Sequence, residues 1–137
     1  MSCGEKIDES PLDVDEGFVE VRSFDLTLND YLIASGQLNV LDLGTDCAGI
    51  VRAAGDQSGF HSGDRVYTVG ISMSRSAVRV KACAVTAIPS KISFAEAASM
   101  PNALWLAYHA LVDVARLQKG EIALIHQASS SVGQMAV

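Results

Sequence analysis

The chain has 137 residues, 49% of them hydrophobic, with a net charge of −6, which is enough for one domain with a real core and too apolar for a disordered segment. The charge sits at one end: residues 1–20 carry seven acids against Lys6, while residues 21–137 hold nine acids and nine bases. A neutral body behind an acidic leader has no cluster of Lys and Arg to grip phosphate, so nucleic acid and anionic membrane are set aside as partners.

In chain order, residues 1–16 form an acidic arm or linker. From Gly17 to about Pro89 come short β-prone runs, "GFVEVRSF", "AGIVRAAG", "DRVYTVG", "SAVRVK" and "AVTAIP", parted by Gly, Asp and Ser clusters. That rhythm predicts a compact antiparallel β-barrel or sandwich. One interruption, "NDYLIASGQ", has a helical pattern stopped by Gly36 and predicts a turn or two of helix. In "SKISFAEAASM" the spacing of Ser93 and Glu96 is that of a capping box and starts another short helix. After Pro101, "NALWLAYHALVDVARLQKG" is apolar nearly all round, with Leu104, Ala107, Tyr108, Leu111, Val112 and Leu117 at helical spacing and Gly120 as terminator, so the helix should be buried on several sides. "EIALIH" then reads as a buried strand of a parallel sheet, followed by a serine-rich turn and the start of a helix in "QASSSVGQMAV". A lone parallel strand needs neighbours for its backbone groups, so the second portion is expected to be incomplete and the chain a fragment.

Cys3, Cys47 and Cys83 are odd in number and far apart, which fits neither a disulfide framework nor a zinc knuckle and predicts free or buried thiols in a reducing compartment. No apolar run approaches the roughly 20 residues that span a bilayer, and the N-terminus lacks a basic-then-apolar leader. A cytoplasmic protein is the expectation.

The order "GFVEVRSFDLTLNDYLIASGQL", "LDLGTDCAGIV", "HSGDRVYTVG" and "ISFAEAASMPNALWLAYHALVDVARLQKGEIALIHQASSSVGQ" resembles the medium-chain dehydrogenase/reductase superfamily. Within it, the match is to the enoyl reductase domains of fungal highly reducing polyketide synthases. The resemblance runs from Gly17 to Val137, and "ALVDVARLQKGE" is its most specific stretch. It implies an α/β fold: a GroES-like β-barrel for substrate over residues 17–100, then over 101–137 the first helix and strand of a Rossmann-like domain for NADPH. The reaction implied is hydride reduction of an acyl-carrier-bound enoyl thioester. The partners implied are the other synthase domains, the acyl carrier domain and a second copy through the parent synthase. A complete domain of this kind is longer than this chain, so the piece is not expected to catalyse alone.

The resemblance also identifies the cofactor-facing positions, and several depart from the family. Where the family reads Ala-Ala-Ala-Gly-Gly-Val-Gly at the phosphate turn, this chain has Gln127, Ala128, Ser129, Ser130, Ser131, Val132 and Gly133. Side chains at 130 and 131 cost about 1 kcal/mol where a left-handed backbone is required, and occupy space that glycine leaves to the pyrophosphate. Against this, serine is small, its hydroxyl can bond phosphate, and helix N-terminal amides remain beyond it. Thr27 replaces an asparagine on the nicotinamide side and Asn29 a basic residue, while Asp30 is kept. Leu106 stands where relatives have a threonine that bonds the carboxamide, so polar ligand atoms there would go unpaired, a loss of about 1–3 kcal/mol per site. Plain core filling also accounts for a leucine on an apolar helix. Two readings follow: a degenerate reductase retained as a structural part of the megasynthase, its reduction skipped or supplied by a separate trans-acting enoyl reductase, or an active enoyl or quinone reductase.

Zinc relatives carry Gly-His-Glu where Gly44, Thr45 and Asp46 stand here, and a cysteine is missing near Thr27, so no catalytic zinc is expected. His61, His109 and His126 lack an acid and nucleophile at motif spacing and form no hydrolase triad. Cys47 reads as a small buried residue, Asp64 and Arg65 as a turn with a local ion pair, and Tyr67 and Tyr108 as packing.

Overall fold

The computed structural model describes residues 10–39 and 42–137. Five strands form one antiparallel sheet: β1 (Glu16–Phe24), β2 (Asp46–Ala54), β3 (Arg65–Val69), β4 (Ala77–Lys81) and β5 (Val85–Ala87), in the spatial order β4-β1-β2-β3-β5. Each corresponds to one of the five β-prone runs. Side chains alternate across a strand, so Cys47 and Val51 of β2 face one side and Ala48 the other. On the first side Val19, Cys47, Val51, Val66, Met73, Val78 and Val80 make the main core. On the second, Ala48 and Ile88 pack with Ala97 and Ala98, helped by Tyr67, Ile92 and Phe94. A strand covered on both faces needs apolar or small residues at successive positions, which is why "DCAGIV" is apolar or small throughout after its first residue.

Helix α1 (Leu28–Ala34) fills the predicted interruption, and Gly36, with φ +75°, takes the left-handed position that ends it. Helix α2 (Phe94–Ala98) starts at the predicted capping box: the Ser93 hydroxyl accepts from Glu96 N–H at 3.2 Å, and the Glu96 carboxylate accepts from Ser93 N–H at 2.8 Å. α2 covers the second face of the sheet.

The next segment departs from expectation in three ways. First, α3 (Pro101–Tyr108) gives way to a π-helical stretch, His109–Val114, with Ala115 N–H bonded to Ala110 C=O at 2.9 Å. The turn ends at Arg116, with φ +53°, and Leu117 N–H reaches Leu111 C=O at 3.0 Å, so Arg116 does what Gly120 was expected to do. Second, the helix is not buried on several sides: only Pro101, Ala103 and Ala107 are, while Trp105, Tyr108 and Val114 are more than half exposed. Tyr108 therefore does not pack in a core. The sheet and α4 (Ser131–Ala136) cover one side, and no other described residues cover the rest. Third, Glu121–His126 forms no strand, and Ile122 is 98% exposed. An extended segment is a strand only when a neighbour takes its N–H and C=O groups, and no neighbour stands beside it among the described residues.

Of the acidic leader, residues 1–9, with Cys3, Glu5, Lys6, Asp8 and Glu9, lie outside the described residues. Residues 10–16 are held against the sheet rather than free. Arg79 donates to Ser10 Oγ at 2.9 Å, and Lys81 Nζ lies 3.0 Å from Asp15, 3.3 Å from Glu16 and 3.5 Å from Asp13. Backbone bonds from Gln57 N–H to Val14 C=O and from Ala82 N–H to Asp15 C=O, 2.8 and 2.9 Å long, fix the path. No helix among the described residues is long and apolar enough to cross a membrane.

Candidate functional site

The loop after β1 leads straight into α1, and Thr27 caps that helix. Its hydroxyl donates to Asp30 Oδ2 at 2.6 Å, and its N–H donates to the same oxygen at 2.7 Å. Asp30 Oδ1 in turn accepts from Gly44 N–H at 2.6 Å, tying α1 to the entrance of β2. Burial alone pushes the Asp30 carboxyl up, but the Thr27 hydroxyl and the Gly44 and Thr27 amides outweigh it and hold the group below its ordinary value. The retained aspartate is thus a structural pin, and Thr27 is its partner.

Two residues beyond Gly44, Asp46 opens β2 with only 2% of its surface exposed. Its C=O accepts from Asp25 N–H at 3.1 Å, and its Oδ2 accepts from Asn102 N–H, at the start of α3, at 3.2 Å. Oδ1 has no partner among the described residues, and neither has the buried Thr45 Oγ1. Burial, with the nearby Asp25 and Asp30 carboxylates adding, pushes the Asp46 carboxyl up to about 6. Sequence reasoning passed over this residue because it matched no metal-binding pattern. The available signal was an ionisable side chain at the mouth of an apolar strand, a position that is costly unless used.

Asp30 and Asp46 therefore join α1, β2 and α3, and α4 packs on α3. Leu106 lies on α3, 39% exposed. At the serine turn, Gln127 takes the left-handed backbone, φ +53°, while Ser130 sits at φ −72°, ψ 162° as the N-cap of α4. The expectation of left-handed strain at Ser130 and Ser131 is therefore corrected: the turn makes its sharp step three residues earlier, and serine stands at the cap, where it is favoured. The Ser130 hydroxyl accepts from Gly133 N–H at 3.1 Å. Gly133 is required for another reason: a Cβ there would overlap the Gln127 carbonyl oxygen and come within 2.7 Å of Ala128 Cα. Val132 follows in the first turn, where its N–H and that of Ser131 lack intrahelical acceptors.

The fit to NADPH is uneven. At the positions that the family resemblance places beside the nicotinamide, the Thr27 hydroxyl gives its proton to Asp30 and keeps only acceptor capacity, and the Leu106 side chain has neither donor nor acceptor. At the phosphate turn the fit is partial, since the Ser131 and Val132 amides can face an anion but the Gly133 amide is taken by Ser130.

The remaining candidates stand apart. His109 is half exposed, stacked on Trp105 at 5.5 Å between centroids, with Nδ1 3.0 Å from Asp113 Oδ2. It is not buried as expected. Asp64 accepts from His61 N–H in the predicted turn, but Arg65 donates instead to Ser90 and Ile92 carbonyls and lies over the Phe94 ring at 4.7 Å. Cys47 is fully buried, its thiol pushed up to about 12 chiefly by that burial. Cys83 is exposed and free.

The antiparallel sheet is thus joined through Asp46 to the helical segment of α3 and α4 that follows it. Residues 13–110 match the alcohol dehydrogenase GroES-like domain, and the chain belongs to that family. It is 40% identical over 122 residues to the highly reducing polyketide synthase poxF of Penicillium oxalicum, covering 87% of this chain and 5% of that protein. It is 41% identical over 132 residues to the hybrid PKS-NRPS synthetase pyvA of Aspergillus violaceofuscus, covering 93% and 3%. The crystal structure of CurK enoyl reductase superposes with a TM-score of 0.79 at 29% identity, over 96% of this chain and 44% of that one. An alcohol dehydrogenase superfamily protein from Novosphingobium aromaticivorans gives a TM-score of 0.84 at 25% identity, again over 96% and 44%. The fold is mixed α/β, as expected. The chain spans only 5% or less of these synthases and less than half of these solved structures.

Proposed function

We propose that the chain is the N-terminal part of a polyketide-synthase enoyl reductase domain in which NADPH binding is impaired and the fold is kept as a structural part of the megasynthase. One observation carries the impairment: the Thr27 hydroxyl, at the position facing the nicotinamide in the family, donates 2.6 Å to Asp30 and has no proton left for a ligand. Leu106 adds a second position without a hydrogen-bonding group. On this reading the partners are the neighbouring synthase domains, the acyl carrier domain, a second copy through the parent synthase and a trans-acting reductase that supplies the missing step. The setting is cytoplasmic. The site is read as zinc-free on donor chemistry, since Thr27 and Thr45 offer hydroxyls where a tetrahedral site uses thiolate and imidazole.

Fluorescence titration of the complete reductase domain with NADPH tests this, and micromolar affinity would overturn it. Thr27→Asn and Leu106→Thr, together with glycine at Ser130 and Ser131, should raise affinity at least tenfold.

A second reading, an active NADPH-dependent enoyl or quinone reductase, is favoured by the serine turn itself. Ser130 is unstrained, Gly133 keeps its close packing and two amides remain for phosphate. On that reading the wild-type domain binds NADPH in the micromolar range and the glycine replacements change little.

A further inference from the structure

We propose that Asp46 is a protonation-dependent joint between the sheet and α3, closed while the carboxyl carries a proton and loosened when it ionises. The inference is independent of whether NADPH binds. The backbone of Asp46 is fixed on both sides, paired in register with Val69 of β3 and accepting from Asp25 N–H, so only the side chain can respond. Of its two oxygens, one holds α3 through the Asn102 N–H and the other is buried without a partner. A carboxylate in that position has a single hydrogen bond to offset the loss of water.

The groups around it offer no relief. Asp25 follows β1 and Asp30 belongs to α1, both carboxylates, and Cys47 beside it is a thiol held neutral by burial. β3 opposes it with Val69, α2 carries only Glu96, tied to Ser93, and α3 presents an amide next to Pro101, which has no N–H. No cationic side chain acts on it among the described residues. The Asn102 amide favours the ionised form but is a single donor set against burial and two neighbouring carboxylates, and lifting the start of α3 from β2 is the movement that would open this side of the carboxyl to water. Ionisation is thereby coupled to separation of the two structural portions that Asp46 joins.

The test is a carboxyl-carbon NMR titration of Asp46 alongside hydrogen exchange at the Asn102 amide, corrected for intrinsic rate, from pH 4 to 7.5 in the full chain. Asp46 is expected to titrate near pH 6, Asn102 protection to fall at least tenfold across that midpoint, and Asp46→Asn to abolish the fall. A midpoint below 4.5, flat protection, or a fall that persists in Asp46→Asn overturns the proposal. Should Asp46→Asn fail to fold, Asp25→Asn serves instead. Removing that neighbouring charge must move the titration and the protection step together to lower pH, and a variant that leaves either in place overturns the joint.

Discussion

Asp30 and Asp46 are both buried carboxylates on the same seam, yet they impose opposite pH dependences. Three donors hold Asp30 low, so its contribution is present above the unfolded value near 3.8 and is lost as pH falls. Asp46 has one donor and two acidic neighbours. Its raised value means a contribution fully present below about 3.8 and lost as pH rises through about 6. Urea unfolding at fixed temperature should therefore give greatest stability near pH 4, a fall between about pH 4 and 6 that levels off above 6, and Asp46→Asn should flatten that fall. A stability that climbs steadily from pH 5 to 8 would contradict this. Asp30→Ala strands the Gly44 and Thr27 amides and the Thr27 hydroxyl, and should cost about 2–4 kcal/mol in the same assay at pH 7. Asn29, exposed one residue earlier, should tolerate alanine within about 0.5 kcal/mol.

At the scale of elements, α4 depends on one cap and one close approach. Ser130→Ala removes the hydroxyl that receives Gly133 N–H and should cost about 1 kcal/mol of local helix stability, seen as faster amide exchange through 131–134. Gly133→Ala is more severe, because its methyl meets the backbone of the preceding turn, which cannot move aside as a side chain would. Exchange protection should then be lost across α4 and along its contact with α3, while β1 to β3 keep theirs. The five strands, α1 and α2 were legible in sequence because their signals are local: alternation, turn residues and capping spacing. The end of the α3 segment was not, since a non-glycine residue in the left-handed region follows from how the widened turn closes, and Arg116 carries no mark of it.

At the scale of the molecule, Lys81 gathers three carboxylates from the lead-in onto β4. The pairs with Asp13 and Asp15 are exposed and that with Glu16 is half-buried, so Lys81→Ala should move global unfolding only slightly. It should instead quicken proteolytic cleavage between residues 10 and 16, and added salt should do the same to the wild type by screening. Cleavage unchanged by either would show that the backbone bonds of Val14 and Asp15 hold the segment alone.

Hydrophobic spacing and turn chemistry by themselves determined the strand set and the two short helices α1 and α2, because each depends on neighbours a few positions apart. The tertiary structure decided what those signals do not encode: that Thr27 spends its hydroxyl on Asp30, that Ser130 needs no left-handed backbone, and that Asp46 lies buried against α3. It also decided that Glu121–His126 is no strand. Burial and pairing depend on what lies alongside a segment in space, and a strand or a buried helix exists only where something else covers it.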